Sequence, residues 1–437
     1  MITQIMKSRL VIFLTAAAMS LPVSAEQISV DREEYENLKK AVEYLMTQQK
    51  ETLDKATRAE EKAYEATEVA EAAVEAVEDT SGTGSWFENT QIGGYTEVLY
   101  NNGTQNSDDS DNISNEFDVQ RFIFYIAHDF TDDLRFFSET EIEHTRSGRG
   151  DDDPGALELE QAYIEWDYSE NHSVLAGLHI VPIGIINETH EPDTFFGVER
   201  PRVESRIIPT TYRVNGVKLA GQFGQGWSYD FGIHEGLQFD DGDLDIRDAR
   251  QNGARANAEN LAGTGRIKYT GMPGLELGAT LQYQDDLTQD DTSNSNLRRD
   301  QLGDSDISGY LTEAHAVWQR GAFGLRALYA RWDIDSDVED LADGAGRDEM
   351  FGWYIEPSWK FSDKLGVFAR YTMLDERAGS SSGDAEDTEE SRLLAGVNYW
   401  IHPNVVVKAD VQLESDEDRS SDDNDLDGFN LGVGWSF

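Results

Sequence analysis

The sequence predicts an all-β transmembrane barrel of 16 antiparallel strands, preceded by an α-helical coiled coil. Three observations carry this prediction: an export signal at the start, a hydrophobic period that changes from 3.5 to 2 near residue 86, and a regular alternation of short turns with long polar loops. The 437 residues include no cysteine, which excludes a disulfide framework and thiol chemistry. The formal net charge of −49 excludes nucleic-acid binding through a basic surface.

The first segment has the pattern of a secretory signal. Lys7 and Arg9 precede a short apolar stretch at residues 10–21, and a small-x-small pattern ends at Ala25. This apolar stretch is too short for a spanning helix, although an uncleaved anchor remains the alternative. We therefore predict a signal peptide at residues 1–25 and an exported mature chain.

A seven-residue repeat follows, and it predicts a coiled coil within residues 26–80. Between residues 35 and 77 no proline or glycine interrupts the repeat, and Glu and Lys fill its outer positions. At 1.5 Å per residue the coil would be roughly 65 Å long. Its second half has mostly alanine in the seam, so a solvated single helix stays open as an alternative. The Gly- and Ser-rich residues 81–85 predict a hinge.

From residue 86 to 437, apolar and polar residues alternate in segments of about ten, as expected for strands of a membrane barrel. The last strand shows the pattern at Phe429, Leu431, Val433, Trp435 and Phe437. The same alternation occurs at residues 275–284, 351–361 and 405–414. Aromatic residues are expected in girdles at the two membrane borders; they are Tyr95, Trp166, Tyr168, Trp227, Tyr283, Trp318, Trp332, Trp359, Trp400 and Trp435.

The connections between these segments also alternate, which predicts short periplasmic turns and long outer loops. The short turns are expected near residues 129–133, 169–172, 222–226, 271–274, 320–322, 362–364 and 402–404. The long loops are expected near residues 103–115, 146–156, 181–209, 239–262, 285–306, 335–349, 376–390 and 415–427. A soluble β-sandwich is the competing fold, but it would bury both apolar faces against each other.

Three stretches carry a family resemblance: IGGYTEVLYNN at residues 92–102, RFIFYIAHDFTDDLRFFSETEIEHT at 121–145, and the segment 158–212 that contains INETHEPDTFFGVERPRVESRIIP. They resemble the phosphate-selective porin O and P family. The resemblance implies a trimeric diffusion channel without a cofactor, embedded among lipopolysaccharide in the outer membrane of a Gram-negative bacterium. The terminal alternation ending in Phe437 resembles the signal read by outer-membrane assembly machinery. A coiled coil that precedes the first strand would then lie in the periplasm.

The resemblance also implies that the third long loop folds inward and narrows the pore. We expect its charged side chains to line the constriction or to staple the loop to the wall; they are Glu191, Asp193, Glu199, Arg200, Arg202 and Arg206. Phe195 and Phe196 are expected to pin the loop against the wall. His190-Glu191 lacks the second histidine of a zinc-helix motif, so we predict no metal site.

Strand parity predicts which charged residues line the lumen: Arg135, Glu139, Glu141, Arg266, Lys268, Lys360, Arg370, Arg392 and Lys408. Strand three carries Glu139 and Glu141, whereas strands thirteen to fifteen carry Arg370, Arg392 and Lys408. This uneven placement would create a transverse field, although a water-filled lumen also tolerates both signs without selecting solutes. The family's phosphate preference rests on lysines and arginines at the constriction, but residues 86–437 contain only five lysines. Phosphate selectivity therefore does not transfer to this chain by resemblance.

Three classes of function remain to be compared. The first is a porin for ions and small hydrophilic solutes, including anionic, phosphate-like ones. The second is an envelope tether or adhesin whose coiled coil contacts peptidoglycan or a periplasmic protein. The third, an outer-membrane enzyme, needs a nucleophile with an organised base, and no motif in the sequence supplies one. We therefore predict a channel and not an enzyme.

Overall fold

The computed structural model describes residues 85–105, 113–145, 155–239, 245–289, 307–336, 348–379, 389–416 and 428–437. The predicted signal peptide (1–25), the predicted coiled coil (26–80) and the predicted hinge except Ser85 lie outside the described residues. No helix in the described ranges is long and apolar enough to cross a membrane.

A short helix, α1 (Ser85–Glu88), precedes a closed antiparallel barrel of 16 strands. The strands are β1 (Thr90–Gln105), β2 (Ile113–Thr131), β3 (Leu134–Glu143), β4 (Leu157–Ser169), β5 (His172–Ile180), β6 (Arg213–Phe223), β7 (Trp227–His234), β8 (Ala262–Tyr269), β9 (Leu275–Gln284), β10 (Ile307–Arg320), β11 (Phe323–Ser336), β12 (Glu349–Ser362), β13 (Leu365–Asp375), β14 (Glu390–His402), β15 (Val405–Asp416) and β16 (Gly428–Ser436). The predicted strand number and the positions of the seven short turns are confirmed.

The barrel closes between its first and last strands. β1 pairs with β16 from Tyr95–Ser436 to Asn102–Phe429. Beyond this ladder, the backbone amide of Gly94 donates to the Phe437 carbonyl at 3.0 Å, and the Phe437 amide donates to the Gly94 carbonyl at 2.9 Å. The last residue is therefore hydrogen-bonded to the first strand, and closure leaves no open sheet edge between β1 and β16.

The two faces of the barrel follow the predicted alternation. On β15, Val411 is 55% exposed to the outside, whereas its neighbour Gln412 is 2% exposed. On β16, Leu431 is 45% exposed and Asn430 is 1% exposed. Because side chains alternate across a strand, the apolar residues form the outer band and the polar residues face the lumen.

Three aromatic residues that we expected in the membrane girdles face inward instead. Tyr95, Trp332 and Trp400 are 2%, 0% and 8% exposed, whereas Trp166 and Trp359 are 48% and 46% exposed on the outer surface. The prediction was wrong for the first three residues because they stand on the lumen parity of β1, β11 and β14. Their apolar surface is covered there by a segment that enters the barrel.

The outward face can be tested with an arginine at mid-strand. A charged residue on the lipid face near the bilayer centre costs about 2–4 kcal/mol. We expect Ile355→Arg, on the outer face of β12, to lower the free energy of unfolding by that amount in lipid vesicles, measured by urea titration. Ser358→Arg is the matched control, because Ser358 shares the lumen parity of Tyr354. An equal loss in both variants would contradict the assigned faces.

Candidate functional site

The loop that connects β5 to β6, residues 181–212 (loop 3), lies inside the barrel. Its apolar side chains are almost fully buried; they include Val181, Ile183, Ile186, Phe195, Phe196, Val198, Val203, Ile207, Ile208 and Tyr212. An outer loop surrounded by water would leave such residues exposed, so their burial shows that the wall of the lumen covers them. The predicted inward fold of the third loop is confirmed.

One half of loop 3 packs against the wall made by β11, β12 and β13. A single helical turn, α2 (Arg202–Arg206), places Val203 in an apolar cluster that also contains Trp332, Tyr354 and Leu374. The indole Nε1 of Trp332 donates to the Ile207 carbonyl at 2.9 Å. The inward-facing tryptophan therefore holds the end of this turn by both contact area and a hydrogen bond.

Glu204 organises the start of loop 3 from inside α2. Its carboxylate accepts from the backbone amides of Ile185 at 2.9 Å and Ile186 at 2.6 Å, and from the Tyr354 hydroxyl at 2.6 Å. Gly184 has a φ of 70°, and a Cβ there would lie 2.7 Å from Glu204 Oε2, so the backbone requires glycine. Burial raises the pKa of Glu204 above its ordinary value, although these hydrogen bonds act in the opposite direction.

A second contact holds loop 3 against β13, β14 and β15. The Phe196 ring lies 5.5 Å from the Phe368 ring and 5.8 Å from the Trp400 ring, centroid to centroid. Asn398 Nδ2 donates to the Phe195 carbonyl at 3.1 Å, and Lys408 Nζ lies 3.6 Å from the centroid of the Phe195 ring. These contacts attach both phenylalanines to the barrel wall.

Arg370 and Lys408, which we expected to line the lumen, are both 3% exposed beneath loop 3. Arg370 Nη2 donates to the Phe196 carbonyl at 2.7 Å, and its Nε donates to Glu356 at 2.8 Å. Both residues stand on the lumen face, as strand parity predicted. Loop 3 nevertheless covers them, so their contacts are those of residues that support the loop.

The arginines of α2 are paired with carboxylates of the wall and of other loops. Arg202 binds Glu390 in two hydrogen bonds, with Nη2 at 2.6 Å and Nε at 3.2 Å. Arg206 Nη2 donates to Glu376 at 2.8 Å and to Asp245 at 3.5 Å. The adjacent carboxylates raise the pKa of both arginines. A role of either residue in ion selectivity stays a prediction. Their ion pairs are those expected of residues that attach the loop to the wall.

The other predicted basic residues of the lumen also have partners. Arg266 contacts Glu188 of loop 3 and donates to Asp230 at 2.8 Å. The remaining contacts are Arg135 with Asp167 and Glu165, Lys268 with Glu276 at 3.5 Å, Arg392 with Glu414, and Lys360 above the Trp400 ring at 4.5 Å. Positive charge in the described lumen is therefore largely balanced locally.

The predicted acidic residues of loop 3 occupy separate positions. Asp193 accepts from the Ser436 hydroxyl at 3.0 Å, and Glu199 accepts from Asn101 Nδ2 at 3.1 Å, both at the β1–β16 seam. Glu191 points elsewhere, into a cavity on the opposite side of the loop. The six predicted residues therefore do not form one ring around a constriction.

Three cavities lie beside loop 3 along the wall from β2 to β8. The outer cavity, about 180 Å³, is lined by Arg121, Glu141, Glu143, Glu158, Arg200, Arg213, Arg247 and Arg250 among others. The middle cavity, about 430 Å³, is lined by Glu139, Glu188, Glu191 and Lys218, together with Tyr125, Phe137 and Tyr163. The inner cavity, about 370 Å³, lies beside the short turns and is lined by Asp167, Glu170, Asp230, Arg266 and Lys268.

The comparison with known families agrees with this architecture. The sequence profile of the phosphate-selective porin O and P family matches residues 95–435. The chain belongs to this family. It is therefore an outer-membrane porin, a channel for passive diffusion, and its relatives support a channel rather than an enzyme.

Individual relatives resemble this porin at two levels. An uncharacterised protein of Aquifex aeolicus is 30% identical over 370 residues, which cover 79% of each chain. The anion-selective porin from Comamonas acidovorans has a TM-score of 0.53 at 12% identity, over 80% of this porin and 99% of that chain. The trimer form of OmpT of Vibrio cholerae has a TM-score of 0.50 at 11% identity, over 80% and 99%. At such identities, the two structures establish a shared fold.

The sequence did not single out several residues that shape the site of this porin. The facing of Arg121, Arg213 and Lys218 was not determined by parity, and all three line cavities. A shift in register on β3–β4 changes the parity near Glu160, and nothing in the residue types reports such a shift. Glu204 and Arg247 depend on contacts between distant loops, for which the sequence carries no local signal.

Removing the Glu204 carboxylate should release loop 3. Three buried donors would lose their acceptor at a cost of about 1–3 kcal/mol each, so Glu204→Ala should weaken the attachment of the loop by at least about 3 kcal/mol. We expect trypsin to cut the folded barrel after Arg202 and Arg206, with the cleavage sites located by mass spectrometry. Glu199→Ala, which removes a half-buried carboxylate of the same loop, should remain resistant. Resistance of both variants would show that Glu204 does not hold the loop.

Proposed function

We propose that this porin conducts small hydrophilic ions and solutes with a weak preference for cations, and that it is not phosphate-selective. The pairing of the lumen arginines supports this proposal most directly. Arg202, Arg206, Arg266 and Arg370 each direct donors at carboxylates of the wall or loops. A selective phosphate site needs several cationic donors that remain available to the ligand.

The middle cavity adds a second argument. Three carboxylates, Glu139, Glu188 and Glu191, line it together with one ammonium group, that of Lys218. A water-filled passage with this lining concentrates cations and repels anions. The net charge of −49 has the same sign and would enrich cations at the channel mouths.

One observation favours the alternative of anion preference. The outer cavity contains Arg121, Arg200, Arg213, Arg247 and Arg250 against three glutamates. An anion that approaches from outside would meet this positive lining first. The anion selectivity stated for the Comamonas porin belongs to that protein, so the balance between the two cavities has to be measured in this channel.

Arg200 allows the proposal to be tested. A unit charge at 5 Å changes the energy of a monovalent ion by about 0.8 kcal/mol in water-like surroundings, with opposite signs for a cation and an anion. Arg200→Ala should therefore raise the cation-to-anion permeability ratio, by up to roughly 15-fold at low salt and less where salt screens the charge. Reversal potentials of single channels in a KCl gradient measure this ratio, and the unmodified channel should already favour potassium. Phosphate should not block the chloride current.

The control is the charge-neutral double variant Arg202→Met with Glu390→Gln. It removes an arginine of the same loop together with its carboxylate partner, and it should leave the permeability ratio unchanged. A wild-type channel that favours chloride, or one that millimolar phosphate blocks, would refute the proposal. An equal shift in both variants would mean that loop position, and not the charge at Arg200, sets selectivity.

We also propose that the channel is a homotrimer whose predicted periplasmic coiled coil reinforces the assembly. The trimer form of a protein with the same fold supports the oligomer, and the heptad repeat supports the role of the coil. The coil would also be the segment available to peptidoglycan or a periplasmic protein. On the other side, the predicted outer loops, which carry acidic runs at residues 107–111, 383–390 and 415–427, would face lipopolysaccharide and share divalent cations with its phosphates.

Deleting residues 35–77 should separate assembly from conduction. We expect the shortened chain to form fewer trimers on native gels, since it loses the seam of the coil, while its single-channel conductance stays at the wild-type value. A full-length variant with polar residues at the seam positions of the coil controls for the shortening of the chain. Loss of conductance in a correctly inserted deletion variant would contradict the separate roles.

A further inference from the structure

Three side chains from separate elements meet where loop 3 touches the β3–β4 wall. Glu139 comes from β3, Glu160 from β4 and His190 from loop 3, and one potential ligand atom of each lies within 4.8 Å of the others. Their exposed fractions are 6%, 0% and 3%. This cluster, Glu139–Glu160–His190, has no part in the contacts of α2.

His190 is oriented as metal-ligating histidines are. Its Nδ1 lies 3.1 Å from the Asn187 carbonyl, which favours a proton on Nδ1. Nε2 then carries a lone pair, which points away from Asn187. Asn187 is itself fixed, because its Nδ2 donates to the Val181 carbonyl at 2.8 Å and its Oδ1 accepts from the Tyr212 amide at 2.9 Å. His190 Nε2 then lies 3.8 Å from Glu160 Oε2.

The atoms that face one another in this cluster lack hydrogen bonds. Within the described residues, His190 Nε2 and both carboxylate oxygens of Glu160 are buried without a hydrogen-bond partner. Such groups are costly in a folded protein unless another species satisfies them. Where both carboxylates are ionised, they and the imidazole lone pair are all acceptors, so a cation would satisfy them.

A β-bulge places Glu160 in the cluster. Glu139 pairs with Gln161 and Thr140 pairs with Leu159, so Glu160 is the extra residue between them. A bulge re-aims one side chain, and here it sends the Glu160 carboxylate towards loop 3. Gln161 Nε2 donates to Glu139 at 2.6 Å and orients the second carboxylate.

The surrounding charge also favours a cation. Glu141 and Glu191 add their carboxylates to those of Glu139 and Glu160. The opposing positive groups are Arg213 Nη1, 3.7 Å from Glu160, Arg121 Nη1, 3.6 Å from Glu141, and Arg200, whose charge acts on His190. Because Glu139 and His190 also line the middle cavity, an ion could enter from water.

We propose that Glu139, Glu160 and His190 bind one divalent transition-metal ion of the Zn²⁺ class, which ties loop 3 to the β3–β4 wall. One imidazole nitrogen and two carboxylate oxygens form a ligand set for such a metal, and the open cavity side leaves a position for water. Bonds of about 2.1 Å require ligand atoms roughly 3.4 Å apart, so side-chain adjustments close the present gaps. The sequence predicted no metal because it offers no helical zinc motif, whereas these ligands come from three distant segments.

The metal would hold the face of loop 3 opposite to α2. Glu204, Arg202 and Trp332 hold the loop to β11–β14, whereas His190 lies against Glu160 of β4. The proposal does not depend on the ion preference of the channel, because metal binding is measured without current flow.

Isothermal titration of the purified, folded full-length porin with ZnCl₂ tests the site. We expect one high-affinity Zn²⁺ per chain, distinct from weak binding by the acidic outer loops, and at least about 100-fold weaker binding at this site after His190→Gln or Glu160→Gln, since loss of even a supporting residue costs 10–100-fold. MgCl₂ should not compete at equal concentration, because Mg²⁺ prefers oxygen ligands and retains its waters. Zn²⁺ should also raise the midpoint of thermal unfolding of the wild type but not of the variants.

His179→Gln is the matched control, because it removes another buried histidine of the barrel, 1% exposed, that lies outside the cluster. It should bind Zn²⁺ as the wild type does. Heat-modifiable migration on gels confirms that each variant is folded, and Glu139→Gln provides a third ligand variant if Glu160→Gln fails to fold. Absence of Zn²⁺ binding by the wild type, or equal binding by His190→Gln, would overturn the proposal.

Discussion

Inside a bilayer every backbone amide and carbonyl needs a partner within the protein, because lipid supplies none. An antiparallel sheet meets this requirement only when its edges join, and here the ladder from β1 to β16 joins them. Closure then determines which side chains face the lipid and which face the lumen. The outer parity must be apolar, so nearly all polar and charged residues of the strands collect in the lumen. The arrangement of the lumen is thus a consequence of backbone pairing, and its chemistry is a problem of satisfying many buried charges.

Loop 3 satisfies some of these buried charges and occupies part of the lumen. It covers the β11–β15 wall with apolar side chains, and its ends and turn bring carboxylates and guanidinium groups to the charges already there. Glu204 satisfies backbone amides, while Arg202 satisfies Glu390. Replacing one member of such a pair leaves its partner as an unpaired buried charge. This is destabilising even where the intact pair adds little net stability. The three cavities lie on the opposite side, along the wall from β2 to β8.

The division of the lumen explains why residue type alone is a poor guide to ion preference. Arg370 and Lys408 face inward, yet loop 3 separates them from the cavities. Arg200 belongs to the same loop as Arg202 but lines the outer cavity. A positive residue acts on a solute mainly when the solute passes within about a Debye length of it. That distance is set by the folded loop.

Period-2 alternation and turn spacing, read from the sequence, were sufficient for the barrel, its 16 strands and its short turns. These features depend on local alternation and on the count of connections, which the chain displays residue by residue. The inward position of the third loop was implied by the family resemblance. The outward assignment of Tyr95, Trp332 and Trp400 failed because an aromatic residue satisfies either a lipid border or a covered lumen wall. The tertiary structure alone decided the pairing of each arginine, the bulge that turns Glu160 and the meeting of Glu139, Glu160 and His190. Those contacts join residues from different strands and loops, and long-range contacts leave no periodic trace in a single sequence.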